Sequence, residues 1–277
     1  MKSVLLLVAV VCSVTGLPAA LHDNERIFGG EVAASGDFPY VVSITENDRH
    51  FCGGFIYSTR WIVTTAFCVV GKTASKLKVV VGQVSAINLD PNEQKMSVYT
   101  ITPGPNYNST LKTNDIALLK LTADIVFDYV NVDFVAYNEL DNSLPVVVMG
   151  WGATFDGGLE SVNLRSGEVS VNLMTKDSPC GEYASPQFNF ATMICSSNNP
   201  VATTIAPPSG VDIAGSPGQY DEGSPMVQDV GGVATAVGIL SRTDGCSTDS
   251  YGIYTRISVF YSWLVNTAGQ QPIRPTP

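Results

Sequence analysis

Histidine, basic charge and long apolar runs are all scarce in this chain of 277 residues. The two histidines, His22 and His50, leave few imidazoles for acid–base or metal chemistry. The 15 lysines and arginines stand against 25 aspartates and glutamates, which gives a net charge of −10. This balance speaks against nucleic acid or an anionic membrane as the main partner, because both need clustered basic groups. Because 45% of the residues are hydrophobic and only 14% are charged, disorder is excluded for most of the length, and one large or two small domains are expected.

The first 16 residues have the pattern of a secretory signal peptide. Lys2 supplies positive charge, and an apolar run over 4–14 follows. Cleavage is expected after Gly16, with Ala20 as the alternative site. This run is too short to span a membrane, and no later run reaches about 18 apolar residues. The sequence therefore predicts a secreted, extracellular protein.

The cysteines are odd in number once the signal peptide is removed. Cys12 leaves with it, and five cysteines remain. Secretion favours disulfides, so one thiol must stay free or join a second molecule. The count alone leaves the pairing open.

A glycosylation sequon, Asn-Ser-Thr, begins at Asn108. It follows two prolines and a glycine within 103–106, which predict an exposed loop. We therefore expect a glycan on Asn108.

Short runs rich in β-forming residues recur along the whole chain, separated by Gly, Pro, Asn and Asp. They lie at 40–44, 77–81, 97–101, 116–121, 146–149, 169–173, 234–240 and 251–255. This spacing predicts an all-β barrel or sandwich rather than alternating strands and helices. One helix is predicted over 258–268, followed by a flexible tail at 269–277. The segment 196–218 lacks a periodic pattern, which is typical of a functional or disordered loop.

Several motifs, taken in order, resemble those of the trypsin/chymotrypsin-like serine proteases. They are Arg-Ile-Phe-Gly-Gly at 26–30, Phe-Cys-Gly-Gly-Phe-Ile at 51–56, Trp-Ile-Val-Thr-Thr-Ala-Phe-Cys at 61–68, Thr-Asn-Asp-Ile-Ala-Leu-Leu-Lys-Leu at 113–121, Gly-Trp-Gly at 150–152 and Gly-Ile-Tyr-Thr-Arg at 252–256. The resemblance implies two packed six-stranded antiparallel Greek-key barrels and a C-terminal helix. Phe-Pro-Tyr at 38–40 and the short propeptide resemble arthropod digestive or salivary proteases.

The resemblance also divides the chain. It implies a signal peptide at 1–16, a propeptide at 17–26 and a trypsin-like peptidase domain at 27–268. Within that domain the barrels would occupy about 27–140 and 141–257.

The resemblance further implies how the cysteines pair. The family joins the positions of Cys52 and Cys68, and those of Cys180 and Cys195. A third family bridge would link Cys246 to the position that Gly218 occupies here, which leaves Cys246 as the unpaired thiol. A monomer is expected, with a Cys246-linked dimer as the alternative.

The catalytic positions depart from the family pattern. The family's chemistry needs a hydroxyl nucleophile, an imidazole and a buried Asp. Asp115 fills the Asp position, but Phe67 stands at the imidazole position, and Phe can neither accept nor donate a proton. When Asp221 and Pro225 are aligned with the Asp and Pro of the family's nucleophile motif, Glu222 stands at the position of the nucleophile. No catalytic residue is therefore assigned.

The residues around the cleft allow two other catalytic arrangements. Shifting the alignment of the nucleophile motif by two residues would make Ser224 the nucleophile, but Asp221 and Pro225 would then no longer match the motif. The one imidazole that could then act as the base is that of His50. Asp115 and Glu222 could instead form a carboxylate pair of the glycosidase type, although nothing else indicates sugar chemistry.

The resemblance locates the cleft and the activation site. Arg26 and Ile27 match the cleavage site, and the freed Ile27 ammonium would pair with Asp221. Either the chain is still cleaved and remodelled, or these residues persist through ancestry. The expected cleft residues are Ser216 at the pocket floor, Tyr220 in place of a glycine that lends an oxyanion-hole amide, and Ser241, Arg242 and Thr243 along one wall.

The favoured function is binding, as a cofactor, decoy or recognition protein, by a secreted serine protease homologue that lacks the catalytic His and Ser. The alternatives are an active serine-type endopeptidase of digestive or salivary origin with a non-standard site, and a structural or storage role. The expected partners are a protein or peptide ligand, such as a protease or a protease inhibitor, and an activating trypsin-like protease. No cofactor, metal, nucleic acid or membrane is expected.

Overall fold

The computed structural model describes residues 30–171, 188–189, 191–197, 217–245 and 251–274. The expected signal peptide and propeptide lie outside these residues. The strands are β1 (Glu31–Val32), β2 (Val41–Glu46), β3 (Arg49–Ser58), β4 (Trp61–Thr64), β5 (Leu77–Val81), β6 (Gln94–Pro103), β7 (Ala117–Leu121), β8 (Ala136–Tyr137), β9 (Val146–Gly150), β10 (Arg165–Val171), β11 (Met193–Ser197), β12 (Pro225–Val230), β13 (Val233–Thr243) and β14 (Tyr251–Arg256). The helices are α1 (Ala66–Val69) and α2 (Tyr261–Ala268), with 3-10 turns at Ala74–Lys76 and Ile257–Phe260.

The first barrel closes in the order β2-β3-β4-β7-β6-β5, with antiparallel neighbours throughout. Apolar side chains from alternate positions of these strands fill its interior, because successive side chains point to opposite faces of a sheet. The fully buried members include Val42, Ile44, Ile56, Ile62 and Leu119.

The second barrel uses β9, β10, β11, β14, β13 and β12, and β9 pairs with both β10 and β12. Its interior holds Val148, Met226, Val237, Leu240 and Tyr254. The short β1 adds to β10 from the amino-terminal side, and β8 pairs in parallel with β13. The prediction of two antiparallel six-stranded barrels is confirmed.

The two barrels pack through a shared apolar cluster. It contains Phe55 and Leu118 from the first barrel, and Trp151, Val227 and Ile239 from the second. Gly53 sits at a close approach, since a Cβ there would lie 2.0 Å from Ser224 Oγ. A glycine is therefore required where the cleft between the barrels begins.

The expected C-terminal helix is present, but it starts later than the sequence predicts. A 3-10 turn occupies Ile257–Phe260, and the α-helix begins at Tyr261. Ser258 donates its hydroxyl to Glu139 instead of capping the helix. Gly269, with φ of 83°, ends it.

The start of the expected tail packs on the first barrel. Gln271 Nε2 donates to the carbonyl of Val135 at 2.8 Å, and Arg274 forms an ion pair with Asp133. Residues 275–277 lie outside the described part of the chain. Among the helices described, none has the length and apolar character needed to cross a membrane.

Candidate active site

Asp115 lies just before β7 at the seam between the barrels and is fully buried. Ser241 donates its hydroxyl to Oδ2 at 2.6 Å, and the backbone amide of Phe67 donates to Oδ1 at 2.7 Å. Thr255 donates its hydroxyl to the Asp115 carbonyl at 2.8 Å. Burial raises the pKa of Asp115 to about 6, while the hydrogen bonds from Ser241 and from the Phe67 amide oppose the rise. Both carboxylate oxygens therefore have donors.

Phe67 lies in α1, which follows β4 directly. Its side chain is 44% exposed, so the ring faces the cleft. The Nζ of Lys112 lies 3.5 Å from the ring centroid, within the range of a cation–π interaction. Burial lowers the pKa of Lys112, and the nearby carboxyls of Glu222 and Asp115 oppose this. The cleft therefore contains an aromatic ring covered by an ammonium.

Glu222 is placed by the turn that leads into β12. Its Oε2 accepts the backbone amide of Tyr220 at 2.8 Å, and its carbonyl accepts the amide of Gly53 at 2.8 Å. Burial raises the pKa of Glu222, while its own backbone amide, that of Tyr220 and the charge of Lys112 favour the ionised form. Lys112 thus faces both carboxyls of the cleft.

Tyr220 adopts φ of +76°, a left-handed conformation that is uncommon for a residue with a Cβ. Its carbonyl lies 3.0 Å from Nε2 of His50, whose Nδ1 lies 2.8 Å from the hydroxyl of Ser43. A carbonyl only accepts, so Nε2 carries the hydrogen and Nδ1 accepts from Ser43. Burial lowers the pKa of His50 to about 4. His50 is therefore neutral at pH 7, and both its ring nitrogens are engaged.

Asp221 points away from the cleft into the second barrel. It is 2% exposed and accepts the amides of Gly152 at 2.6 Å and Gly218 at 2.8 Å. Burial raises its pKa to about 7. Ser224 is also buried, and its Oγ has no hydrogen-bond partner among the described residues. A ligand in the cleft would therefore not reach the Ser224 hydroxyl.

The second-barrel wall of the cleft is formed by the end of β13. Arg242 Nη1 donates to the carbonyl of Leu111 at 3.0 Å, so this side chain spans the cleft to the first barrel. Thr243 donates its hydroxyl to the carbonyl of Pro217 at 3.1 Å. Ser216, the expected pocket floor, lies outside the described residues, as do Arg26 and Ile27.

The expected disulfide between Cys52 and Cys68 is confirmed. Cys195 is disulfide-bonded as well, but Cys180 and Cys246 lie outside the described residues, so that pairing stays a prediction. The sequon residue Asn108 lies on an exposed loop, and its Oδ1 accepts the amides of Thr110 and Leu111.

Lys112 was not singled out from the sequence. Its position directly before the Thr-Asn-Asp motif at 113–115 is the one signal that could have suggested a place in the cleft. The orientation of the Glu222 side chain could not be predicted from the sequence, because it depends on the backbone conformation of the turn.

Known proteins resemble the chain over nearly its whole length. The family model described as Trypsin matches residues 27–264. Trypsin alpha of Drosophila melanogaster is 34% identical over 97% of this chain and 98% of its own. Trypsin-1 of Astacus astacus is 32% identical over 86% of this chain and 98% of its own. Coagulation factor IX of Oryctolagus cuniculus is 30% identical over 91% of this chain and 88% of its own.

Proposed function

This chain belongs to the trypsin family of serine proteases, and from that premise we propose that it is a secreted homologue that binds peptides or proteins rather than hydrolysing them. The observation that carries the proposal is the contact between Phe67 and Asp115. Asp115 keeps two donors, yet one of them is the backbone amide of a residue whose side chain has no nitrogen. In the family this carboxylate orients an imidazole, but the residue that stands beside Asp115 at that position is Phe67, which has none.

The residue at the nucleophile position supports the same conclusion. Acyl transfer in this family needs a hydroxyl that gives its proton to a base. Glu222 carries a carboxylate instead, and that carboxylate is bonded to the Tyr220 amide. Loss of the nucleophile or the base costs on the order of 10⁶ in rate in a serine protease, and losing both costs about the same. Hydrolysis by the family's mechanism is therefore not expected.

The cleft supports binding of a protein or peptide ligand. The Phe67 ring is partly exposed beside Lys112, and Lys112 and Arg242 bring positive charge to the two sides of the cleft. The candidate partners are a protease or a protease inhibitor, and the corresponding roles are cofactor, decoy or recognition protein. No cofactor or metal is part of the proposal.

Activation by a trypsin-like protease is the second part of the proposal. Cleavage after Arg26 would free the Ile27 ammonium, and Asp221 would receive it. Among the described residues Asp221 accepts the amides of Gly152 and Gly218, and a buried carboxyl with a raised pKa gains from an opposite charge.

The last part of the proposal concerns secretion, glycosylation and the free cysteine. The signal peptide would direct the protein out of the cell, and a glycan would sit on Asn108 in its exposed loop. Cys246 would remain the unpaired thiol of a monomer, unless it links two copies.

A serine-directed fluorophosphonate tests the catalytic part. The protein is cleaved with trypsin, repurified and incubated with the probe, with a family trypsin as positive control and the Ser224→Ala variant as matched control. We expect no covalent adduct by mass spectrometry. Stoichiometric labelling of a cleft serine would instead establish the alternative, an active endopeptidase with a non-standard site.

A further inference from the structure

The carboxylate of Glu222 lies in a site made of backbone amides. The amide of Tyr220 donates to its Oε2 at 2.8 Å, and the amide of Glu222 itself also stabilises the charged form. A backbone amide held in this way can bind a carboxylate or carbonyl oxygen, since its N–H carries partial positive charge. The Tyr220 amide is therefore already occupied by a side-chain oxygen of the chain itself.

The surrounding backbone fixes these amides in place. Tyr220 and Gly223 both have positive φ, at 76° and 89°, which sharpens the turn. His50 donates to the Tyr220 carbonyl, and Gly53 donates to the Glu222 carbonyl at 2.8 Å. The turn is thus held from the first barrel on both sides of the amide site.

The charge next to the site also favours an anion. Lys112 is the cation that most directly favours the ionised form of Glu222. Its ammonium is held over the Phe67 ring at 3.5 Å. Burial is the largest effect and raises the pKa of Glu222, whereas the Tyr220 amide and the Lys112 ammonium favour its ionised form.

Resting on the proposed function, we propose that the Glu222 carboxylate is an internal ligand of this amide site. The binding partner therefore occupies the cleft without placing one of its own oxygens at the site. This narrows the class of partner. A peptide loop that must insert a backbone carbonyl oxygen between these amides would first have to displace Glu222. The partner instead binds through the rim of the cleft, beside Phe67, Lys112 and Arg242.

The site should open to a small carboxylate when the Glu222 side chain is removed. The probe is sodium acetate, with sodium chloride at equal ionic strength as reference. Thermal unfolding is followed for the full chain, for Glu222→Ala and for a matched variant of an exposed glutamate on β1, Glu31→Ala. We expect acetate to raise the Tm of Glu222→Ala in a saturable manner and to leave the other two proteins unchanged. Equal responses of all three proteins, or none in Glu222→Ala, would overturn the proposal.

If Glu222→Ala does not fold, an NMR titration of the protein that keeps Glu222 tests the proposal instead. In protein labelled with ¹⁵N-tyrosine, the Tyr220 amide is assigned by its loss in Tyr220→Phe. We expect its proton resonance to move upfield as acid protonates Glu222, because a charge-assisted hydrogen bond is lost.

The control for this titration is Glu222→Gln. Lys112, Asp221 and His50 also face this turn, and Asp115 and Arg242 lie beyond Lys112. Their titrations persist in the Gln variant, so the difference between the two proteins isolates Glu222. Identical curves would contradict the proposal while leaving the fluorophosphonate result, and with it the proposed function, untouched.

Discussion

Ser241 and Asp115 are joined across the seam of the two barrels by a hydrogen bond of 2.6 Å from the serine hydroxyl to Oδ2. Ser241 belongs to β13 of the second barrel, whereas Asp115 precedes β7 of the first. With the Phe67 amide on the other oxygen, the carboxylate is held as it would be for a neighbouring imidazole. Under the proposed function, Asp115 is thus the orienting carboxylate of the family's catalytic site, and Phe67 and Glu222 stand at the positions of its imidazole and its nucleophile.

If the proposed assignment is right, placing a histidine at position 67 and a serine at position 222 should produce hydrolytic activity. The variant Phe67→His/Glu222→Ser, cleaved after Arg26, is expected to label with fluorophosphonate and to hydrolyse an activated peptide ester. Because nucleophile and base act as a unit, the double variant should hydrolyse the ester at least about 100-fold faster than either single variant. Equal rates for the double and single variants would contradict this expectation.

Asp221 should make stability depend on pH in opposite ways before and after cleavage. Its pKa is raised from 3.8 to about 7, so the folded chain binds more protons than the unfolded chain between these values. The free energy of unfolding of the uncleaved protein therefore falls as pH rises through this window, by an amount on the order of a few kcal/mol. We expect Asp221→Asn to remove this fall, leaving the falls that come from Asp115, Glu222, Asp133 and Asp244, whose pKa values burial also raises.

Cleavage after Arg26 should reverse the effect of that substitution. The new Ile27 ammonium would stabilise the charged carboxylate, so Asp221→Asn should stabilise the uncleaved protein and destabilise the cleaved one at about pH 8. Urea unfolding of both forms measures this. The same sign in both forms would rule out the ion pair.

His50 should titrate far below an ordinary histidine. Burial lowers its pKa from 6.5 to about 4, so the unfolded chain takes up the proton first and stability falls as pH drops through that window. After loss of the propeptide His50 is the sole histidine, which leaves one imidazole Hε1 resonance in the NMR spectrum. We expect this resonance to keep its neutral position down to about pH 5, whereas urea-unfolded protein titrates near 6.5. A folded-state midpoint near 6.5 would show that the ring is not buried in these contacts.

Thiol titration should find a single free cysteine. Cys52, Cys68 and Cys195 are in disulfides, and the predicted pairing assigns Cys180 to Cys195. Denatured, unreduced monomer should therefore react once, at Cys246, as located by peptide mapping. Finding no free thiol in a monomer would disprove that pairing, and finding none in a covalent dimer would place Cys246 in the link between copies.

Strand positions were readable where apolar residues and turn residues alternate clearly. The run at 77–81 coincides with β5, because Leu77, Val79 and Val81 all face the barrel interior. The run at 97–101 underestimated β6, which extends over Gln94–Pro103, because its outer ends are polar and half-exposed. The helix start was misplaced because a 3-10 turn and an α-helix show the same short-range apolar pattern.

The sequence by itself determined the family and the barrel architecture, because these follow from motif order and strand patterning, and it predicts which side chains occupy the family's catalytic positions. It could not determine where those side chains point. The bond from the Tyr220 amide to Glu222 depends on a left-handed residue, and His50 holds that residue's carbonyl from 170 positions away along the chain. The placement of Lys112 over Phe67 likewise needs two segments that meet only in the folded barrel. Only the tertiary structure decided that His50 bonds the Tyr220 carbonyl and that Lys112 lies over Phe67, because both contacts join segments that are far apart in the chain.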